Sequence, residues 1–200
     1  MIYFCGKKVN RRTVAEKGIT MKISIKKICL AAVFTAMNVA LSSFGVPVPG
    51  GHVYLNDIVI CFAALFLDPF LAFVVGGVGA FLGDMIFYPA PMFVSLVTHG
   101  VQAVAIALIS GGYKGKLPKL WRSVLAVFIG MIIMVGGYTL GKIFVYSTLE
   151  YAIMKLPFEF LQASIGAVFG TLLLYVTPVK RFVYPEKIEK VEEQGKNEAA

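Results

Sequence analysis

Polar side chains recur at helical spacing within one apolar segment of this chain. Ser95, His99 and Gln102 lie at positions i, i+4 and i+7 of the run 92–110, so a helix places them on one face. An ionisable group in hydrocarbon is costly and usually faces a cavity or a partner. Imidazole and amide groups donate and accept hydrogen bonds. This face therefore predicts a site for a small polar solute, unless these groups only satisfy the backbone.

Two further polar sets lie in the last two apolar runs. Glu159 and Gln162 share one helical face. Tyr138, Lys142 and Tyr146 share another. If the segments alternate across a membrane, all of these groups converge in its outer half. Glu159 and Lys142 could bind opposite charges on a ligand or form a structural pair with each other, and both alternatives stay open.

Aromatic residues are expected around the mouth of this site. They are Tyr54, Tyr88, Phe93, Tyr146 and Phe158. Their rings could stack on a flat ligand. The aromatic belt of a membrane interface explains such residues equally well, so the pattern does not separate the two roles.

Four other acidic or amide side chains and one histidine have simpler interpretations. Asn56, Asp57 and Asp68 stand where helices begin and are interpreted as N-caps. Asp84 is interpreted as structural, either pairing with Lys142 or capping a loop. His52 lies in a loop rich in Pro and Gly that could act as a lid over the cavity.

Motifs for catalysis are missing from the sequence. It contains no Walker, HExxH or GxSxG motif and no paired carboxylates for a catalytic metal. Cys5, Cys29 and Cys61 share no metal-ligand spacing. We therefore expect no enzyme activity, no cofactor and no metal.

The elements that position these residues are apolar runs. Of the 200 residues, 58% are hydrophobic and 15% are charged, with a mean hydropathy of +0.79. A soluble domain of this length cannot hide so much apolar surface. Six runs are predicted as spans: 27–46, 55–67, 70–88, 92–110, 123–146 and 157–176. The expected fold is an all-α integral membrane protein, a bundle of six transmembrane helices over residues 27–176.

Basic residues predict the orientation. Of 19 Lys and Arg, 17 lie before Ile28, between Gly111 and Arg122, or after Val176. Positively charged loops stay in the cytoplasm, so residues 1–26, the 113–122 loop and residues 177–200 are predicted there. The outer loops are then 47–54, 88–91 and 147–156. A nucleic-acid partner would require a continuous basic face, and the sequence shows none, so we expect no nucleic-acid partner.

The first twenty residues differ from the rest of the chain. They are polar and basic, and Met21-Lys22 resembles a second beginning. We hypothesise that translation starts at Met21, after codons for Glu16-Lys17-Gly18 that resemble a ribosome-binding site. The alternative is a cytoplasmic tail that begins at Met1.

Small residues lie at every fourth position of the first run. Ala32, Ala36 and Ala40 form a flat stripe beside the basic tail. Such spacing lets helices approach closely in lipid. We expect this stripe to face a partner, and packing inside the bundle is the alternative.

Two stretches carry a family resemblance: Leu55-Asn56-Asp57-Ile58-Val59 through Asp68-Pro69, and Gly76-Gly77-Val78-Gly79-Ala80-Phe81-Leu82-Gly83-Asp84. Over residues 21–181 the chain resembles the substrate-binding S components of energy-coupling factor (ECF) vitamin transporters. It is similar to the branch that includes riboflavin and hydroxymethylpyrimidine binders. The glycine-rich stretch that ends in Gly83-Asp84 is the most specific part.

The resemblance implies a six-helix protein of a bacterial cell membrane that binds a vitamin or its precursor from outside. It implies docking on a transmembrane coupling subunit served by two ATPases, through the Ala-x-x-x-Ala pattern that Ala32, Ala36 and Ala40 match. It also implies that the whole component topples in the membrane to present its site inside. The ligand positions would be Tyr54, Ser95, His99, Gln102, Tyr138, Lys142, Glu159 and Gln162.

Other function classes remain open at this point. The runner-up is a stand-alone secondary transporter or channel for a small polar solute, although no internal repeat supports it. A membrane-embedded assembly factor that binds no small molecule is the third. Riboflavin, hydroxymethylpyrimidine, pyridoxine-like compounds, thiamin and pantothenate are all compatible with a polar site that contains aromatics.

Overall fold

The computed structural model describes residues 25–178 and 183–184 of the chain. The hypothesis of a start at Met21 and most of the two predicted tails lie outside these residues. Within these residues the fold consists of six longer helices, one hairpin and a short 3-10 helix at Gly112–Lys114. The longer helices and the strands are α1 (Ile25–Ser42), β1 (Val46–Val48), β2 (Gly51–Val53), α2 (Asn56–Ala64), α3 (Pro69–Phe87), α4 (Met92–Ser110), α5 (Leu120–Tyr146) and α6 (Leu149–Val176).

Five of the six helices are long and apolar enough to cross a membrane, and α2 is the exception. With nine residues, α2 is about 14 Å long at 1.5 Å per residue. Every residue of α2 except Ile58 is buried, so the other helices shelter it from lipid. The predicted all-α membrane bundle is confirmed, with its second segment short and enclosed.

The loop predicted over 47–54 contains a two-stranded hairpin instead. β1 and β2 pair antiparallel, with Val46 opposite Val53 and Val48 opposite Gly51. Gly50 follows Pro49 in the turn and has φ +81°, a conformation that residues with a Cβ rarely adopt. As a result α1 ends at Ser42, four residues earlier than predicted. We call the end of the bundle that carries this hairpin the hairpin end.

The last helix begins eight residues before the predicted start. The hydroxyl oxygen of Thr148 caps α6 by accepting a bond from the Tyr151 N–H, at 3.5 Å. Pro157 lies inside the helix, where membrane helices tolerate proline because neighbouring groups satisfy the freed carbonyls. The segment 147–156, predicted as an outer loop, is therefore helical from Leu149, which brings Lys155 into the bundle.

Helix α1 packs on α3 through its polar side. Asn38 Nδ2 donates to the Val75 carbonyl at 2.6 Å, inside a π-helical turn over Val74–Val78. A Cβ added at Gly79 would lie 2.7 Å from Asn38 Nδ2, so a larger residue there would displace the Asn38 side chain. The stripe of Ala32, Ala36 and Ala40 is exposed on α1, so packing inside the bundle does not explain it.

The opposite end of the bundle carries the basic loop 113–122, and we call it the basic end. Lys27 Nζ donates there to Asp68 Oδ2 and to the Tyr113 carbonyl, each at 3.0 Å. Asp68 occupies the N-cap position of α3, but its side chain makes no capping bond. Apolar side chains fill the bundle between this end and the middle; Ile60, Leu65, Leu67 and Ile106 are fully buried.

Candidate ligand-binding site

A cavity of about 320 Å³ opens at the hairpin end, between the hairpin and helices α2 to α6. Of the eight predicted binding residues, five line it: Tyr54, His99, Tyr138, Lys142 and Gln162. The other three are buried directly behind the lining and bond to it: Ser95, Gln102 and Glu159. The structure thus brings all eight together.

Asp57 lies beneath the cavity and binds two amide side chains there. Its two carboxylate oxygens accept from Gln102 Nε2 at 3.2 Å and from Gln162 Nε2 at 2.6 Å. Both amides are therefore turned with their carbonyl oxygens away from Asp57. Gln162 Oε1 accepts the Tyr54 backbone N–H at 3.0 Å, which ties the end of the hairpin to α6.

This role corrects the interpretation of Asn56 and Asp57 as N-caps. Leu55 is the N-cap residue of α2, and no side chain makes a capping bond there. Asn56 instead lines the cavity. Asn56 and Asp57 are buried one and two positions inside the helix, where their side chains point into the bundle rather than back to the first turn.

His99 receives its orientation from the same network. Its Nδ1 lies 2.7 Å from Gln102 Oε1 and 3.7 Å from Asp57 Oδ1. Because both neighbours are acceptors, Nδ1 carries the hydrogen. The second ring nitrogen, Nε2, bonds to no residue that the structure describes. It is left to form a hydrogen bond with a ligand.

A second chain of hydrogen bonds runs along another wall. The Ser95 hydroxyl donates to Asp84 Oδ2, so the Tyr138 hydroxyl, 2.5 Å from Ser95 Oγ, must donate to Ser95. Asp84 lines the cavity and makes no ion pair with Lys142 within the described chain. The suggested pairing of Asp84 with Lys142 is therefore wrong, and Asp84 accepts from Ser95 instead; its structural role stays a prediction.

Three polar side chains lie close to the Glu159 carboxylate on the wall formed by α5 and α6. Lys142 Nζ donates to Oε1, and Lys155 Nζ lies 3.9 Å from Oε1. Thr139 Oγ1 lies 3.4 Å from Oε2, although its hydrogen is directed to the Val135 carbonyl at 2.7 Å. Lys142 and Glu159 thus form the predicted pair, while Lys142 also lines the cavity. Lys155 was missed because its segment was interpreted as a loop. Its i, i+4 spacing to Glu159 was the available signal.

Aromatic rings surround the opening, although not all of those expected. Tyr54, Tyr88 and Tyr146 line the cavity, and Tyr151 joins them from α6. Burial is the main cause that raises the pKa of Tyr54 to about 12, with a smaller contribution from the Asp84 carboxylate. Its hydroxyl therefore stays protonated at neutral pH.

Two of the expected aromatics lie elsewhere. Phe93 is exposed on the outside of the bundle against Phe81, with ring centroids 5.7 Å apart, and Phe158 does not line the cavity. His52 does line it from β2, and its ring centroid lies 5.4 Å from that of Tyr88. The hairpin therefore forms part of the cavity wall.

The sequence matches the family described as "ECF-type riboflavin transporter, S component" over residues 22–179. The chain belongs to this family. It is also 30% identical, over 143 residues, to a protein of Pyrococcus woesei described as "Uncharacterized protein in gap 3'region". That match covers 70% of this chain and 93% of the relative.

Membership establishes the general role of this S component. S components are substrate-binding subunits of membrane vitamin transporters, so this chain is a transporter subunit and not an enzyme. A vitamin-like ligand and partner subunits of an ECF transporter follow from the family. Among the described residues, no group of three or more His, Cys, Asp or Glu side chains could hold a metal ion.

Proposed function

We propose that this S component is a high-affinity binding subunit for uptake of a water-soluble vitamin or vitamin precursor. It works with a transmembrane coupling subunit and two ATPase subunits, which supply the energy of transport. The hairpin end faces the outside of the cell and the basic end faces the cytoplasm, in line with the distribution of Lys and Arg. Both termini are then cytoplasmic.

One observation carries this proposal: the polar cavity is open at the hairpin end and closed below. Gln162 lines the bottom of the cavity, and Asp57 and Gln102 form the hydrogen-bonded layer directly beneath it. Beneath that layer the described bundle is filled with fully buried apolar side chains such as Ile60 and Ile106. A solute can enter from one side and be held, but the bundle offers it no polar path through.

The same observation weighs against a channel or a self-sufficient transporter. A channel needs a continuous polar route, and secondary transporters place their sites between repeats that rock against each other. Here the release of ligand on the other side requires movement of the whole subunit against a partner. The exposed stripe of Ala32, Ala36 and Ala40 suits such a partner, because small side chains let helices approach closely in lipid.

The experiment that tests the proposal starts with the chain purified alone in detergent. Mass spectrometry of the small molecules released on denaturation should find a stoichiometric vitamin-like compound. Calorimetric titration of the emptied protein should then show tight binding without any ATPase, while uptake into proteoliposomes should require the complete complex and ATP. Proton- or sodium-driven uptake by this chain alone would instead support the secondary transporter.

A further inference from the structure

Two apolar grooves run along the outside of α5 from the basic end toward the middle of the bundle. Leu120, Val124 and Phe128 line both of them. The first groove, of about 410 Å³, lies between α5 and α6 and continues as far as Met131. The second, of about 590 Å³, is shallow and is lined by Trp121. The three shared side chains thus form a ridge with a groove on either side.

The length of the first groove matches one leaflet of a bilayer. From Leu120 to Met131 the helix rises about 16 Å at 1.5 Å per residue, and half of a hydrocarbon core of about 30 Å is about 15 Å. Trp121, at the start of the grooves, is a residue type that favours the membrane interface. An acyl chain can therefore follow the groove from the interface to the middle of the membrane.

The side chains that line the first groove leave no hydrogen-bond donor unused. Ser164 and Thr171 are the polar residues of its lining. Each hydroxyl donates to a carbonyl of its own helix at 2.7 Å, Ser164 to Phe160 and Thr171 to Ala167. A polar occupant would lose its hydrogen bonds to water and gain none here, so a hydrocarbon chain suits the groove.

Basic side chains surround the grooves where they reach the basic end. Lys116 and Lys119 lie just before α5, are exposed, and bond to no residue among those that the structure describes. Arg122, in the first turn of α5, uses one nitrogen to donate to the Ile109 carbonyl at 2.9 Å and keeps its other N–H groups available. The loop 113–122 contains four basic residues and no acidic one. This charge favours an anionic headgroup above the grooves.

Hydrogen bonds hold the end of this loop against α6. The Tyr175 hydroxyl donates to the Pro118 carbonyl at 2.7 Å. The Ser123 hydroxyl, also 2.7 Å from the Tyr175 oxygen, is therefore the donor in that second bond. Since Lys119 lies between Pro118 and Ser123, these bonds fix its backbone beside the line where α5 and α6 meet.

We propose that the two grooves bind the acyl chains of one anionic phospholipid in the leaflet at the basic end. Its phosphate lies among Lys116, Lys119 and Arg122, and its two chains lie on either side of the ridge on α5. The site is separate from the alanine stripe, because α1 packs on α2 and α3, whereas α5 packs on α4 and α6. This lipid site goes beyond the proposed function and does not depend on the ligand of the cavity.

The chain carries its own probe for this lipid. Trp121 is its single tryptophan and lines the second groove, so a brominated acyl chain bound there quenches its fluorescence. The full chain is reconstituted in phosphatidylcholine vesicles that contain increasing fractions of brominated phosphatidylglycerol or, in parallel, brominated phosphatidylcholine. We expect phosphatidylglycerol to bind at least about fivefold more tightly, because each basic residue near an anionic headgroup contributes about that factor (about 1 kcal/mol).

Matched variants test the headgroup and the groove separately. Lys119→Gln should lower the preference for phosphatidylglycerol about fivefold. Lys26→Gln makes the same change at the start of α1 and should keep the preference within about twofold. Ala167→Phe fills the first groove from α6 and should bring the two lipids toward equal binding. Val101→Phe, an enlargement on the exposed face of α4, should leave the preference unchanged.

Three results would overturn the proposal. Equal quenching of the wild type by the two brominated lipids would show that no anionic lipid is selected. A preference that Lys26→Gln lowers as much as Lys119→Gln would belong to the whole basic end rather than to the grooves. Weak quenching by both lipids would mean that protein covers Trp121. The proposed function is tested at the cavity and stands or falls independently of these results.

Discussion

At the scale of single residues, Asp57 organises the site without lining it. Its carboxylate holds two amides, and those amides in turn orient His99 and the backbone of Tyr54. A buried hydrogen-bond network of this kind stabilises only when each member is satisfied. The chemistry of the lining therefore depends on a side chain that a ligand does not touch.

We predict that Asp57→Asn weakens ligand binding at least about tenfold and destabilises the fold by about 1–3 kcal/mol, the cost of an unpaired buried group. An asparagine can accept from only one of the two amides and presents its own NH₂ to the other. Titration and thermal unfolding in detergent measure the two effects. Glu150→Gln, an exposed carboxylate at the start of α6, is the control and should change neither.

Removal of His99 tests the second half of this network. His99→Ala should weaken binding by about 1–3 kcal/mol, and Gln102→Ala should weaken it less, because Gln102 does not line the cavity and acts through His99 and Asp57. Ser110→Ala, on the same helix at the basic end, should leave affinity unchanged. Unchanged affinity in both site variants would place the ligand elsewhere.

At the scale of elements, the hairpin and the first turns of α6 close the cavity together. A Cβ on Gly50 would lie 2.9 Å from both Lys155 Cβ and the Tyr151 carbonyl oxygen. The turn therefore rests directly on α6. A change in the turn should therefore shift Lys155, which lines the cavity next to the turn.

We predict that Gly50→Ala weakens ligand binding about tenfold, because the hairpin must move away from α6 to relieve the contact. Gly115→Ala is a matched control: Gly115 also has a positive φ, +76°, but a Cβ there meets nothing within 4 Å. Both variants should lose about 1–3 kcal/mol of stability from backbone strain. Equal binding by the two variants would show that the hairpin does not shape the site.

At the scale of the whole molecule, α1 has two different faces. Asn38 and Ser42 are buried against α3, whose far end carries Asp84. The exposed alanine stripe lies on the other face. The helix that we propose as the docking surface thus packs against the helix that contributes Asp84 to the cavity lining.

We predict that Ala36→Leu prevents stable assembly with the coupling subunit and leaves ligand affinity unchanged, since the larger side chain would hold the two helices apart. Co-purification of the complex and titration of the isolated chain measure the two properties. Val101→Leu, an enlargement on the exposed face of α4, should still assemble. Normal transport by Ala36→Leu would mean that docking uses another surface.

Much of this architecture was predictable from local patterns. Apolar runs of spanning length identified a membrane bundle, because hydrocarbon admits few other arrangements of a chain. Helical spacing placed Ser95, His99 and Gln102 on one face, and the cost of polar groups in lipid indicated that this face turns inward. These inferences need only the geometry of one helix at a time.

Other features depended on contacts between helices. Asp57 resembled a cap and Asp84 a partner of Lys142, because the spacing along one helix does not reveal which side chains the next helix presents. Pro157 suggested the start of a helix, and only the packed bundle extended α6 back to Leu149 and placed Lys155 beside Glu159. The sequence by itself determined the class of protein and the inward-facing residues of each helix. The tertiary structure alone decided which charges meet, because burial and pairing depend on how the helices are rotated and packed against each other.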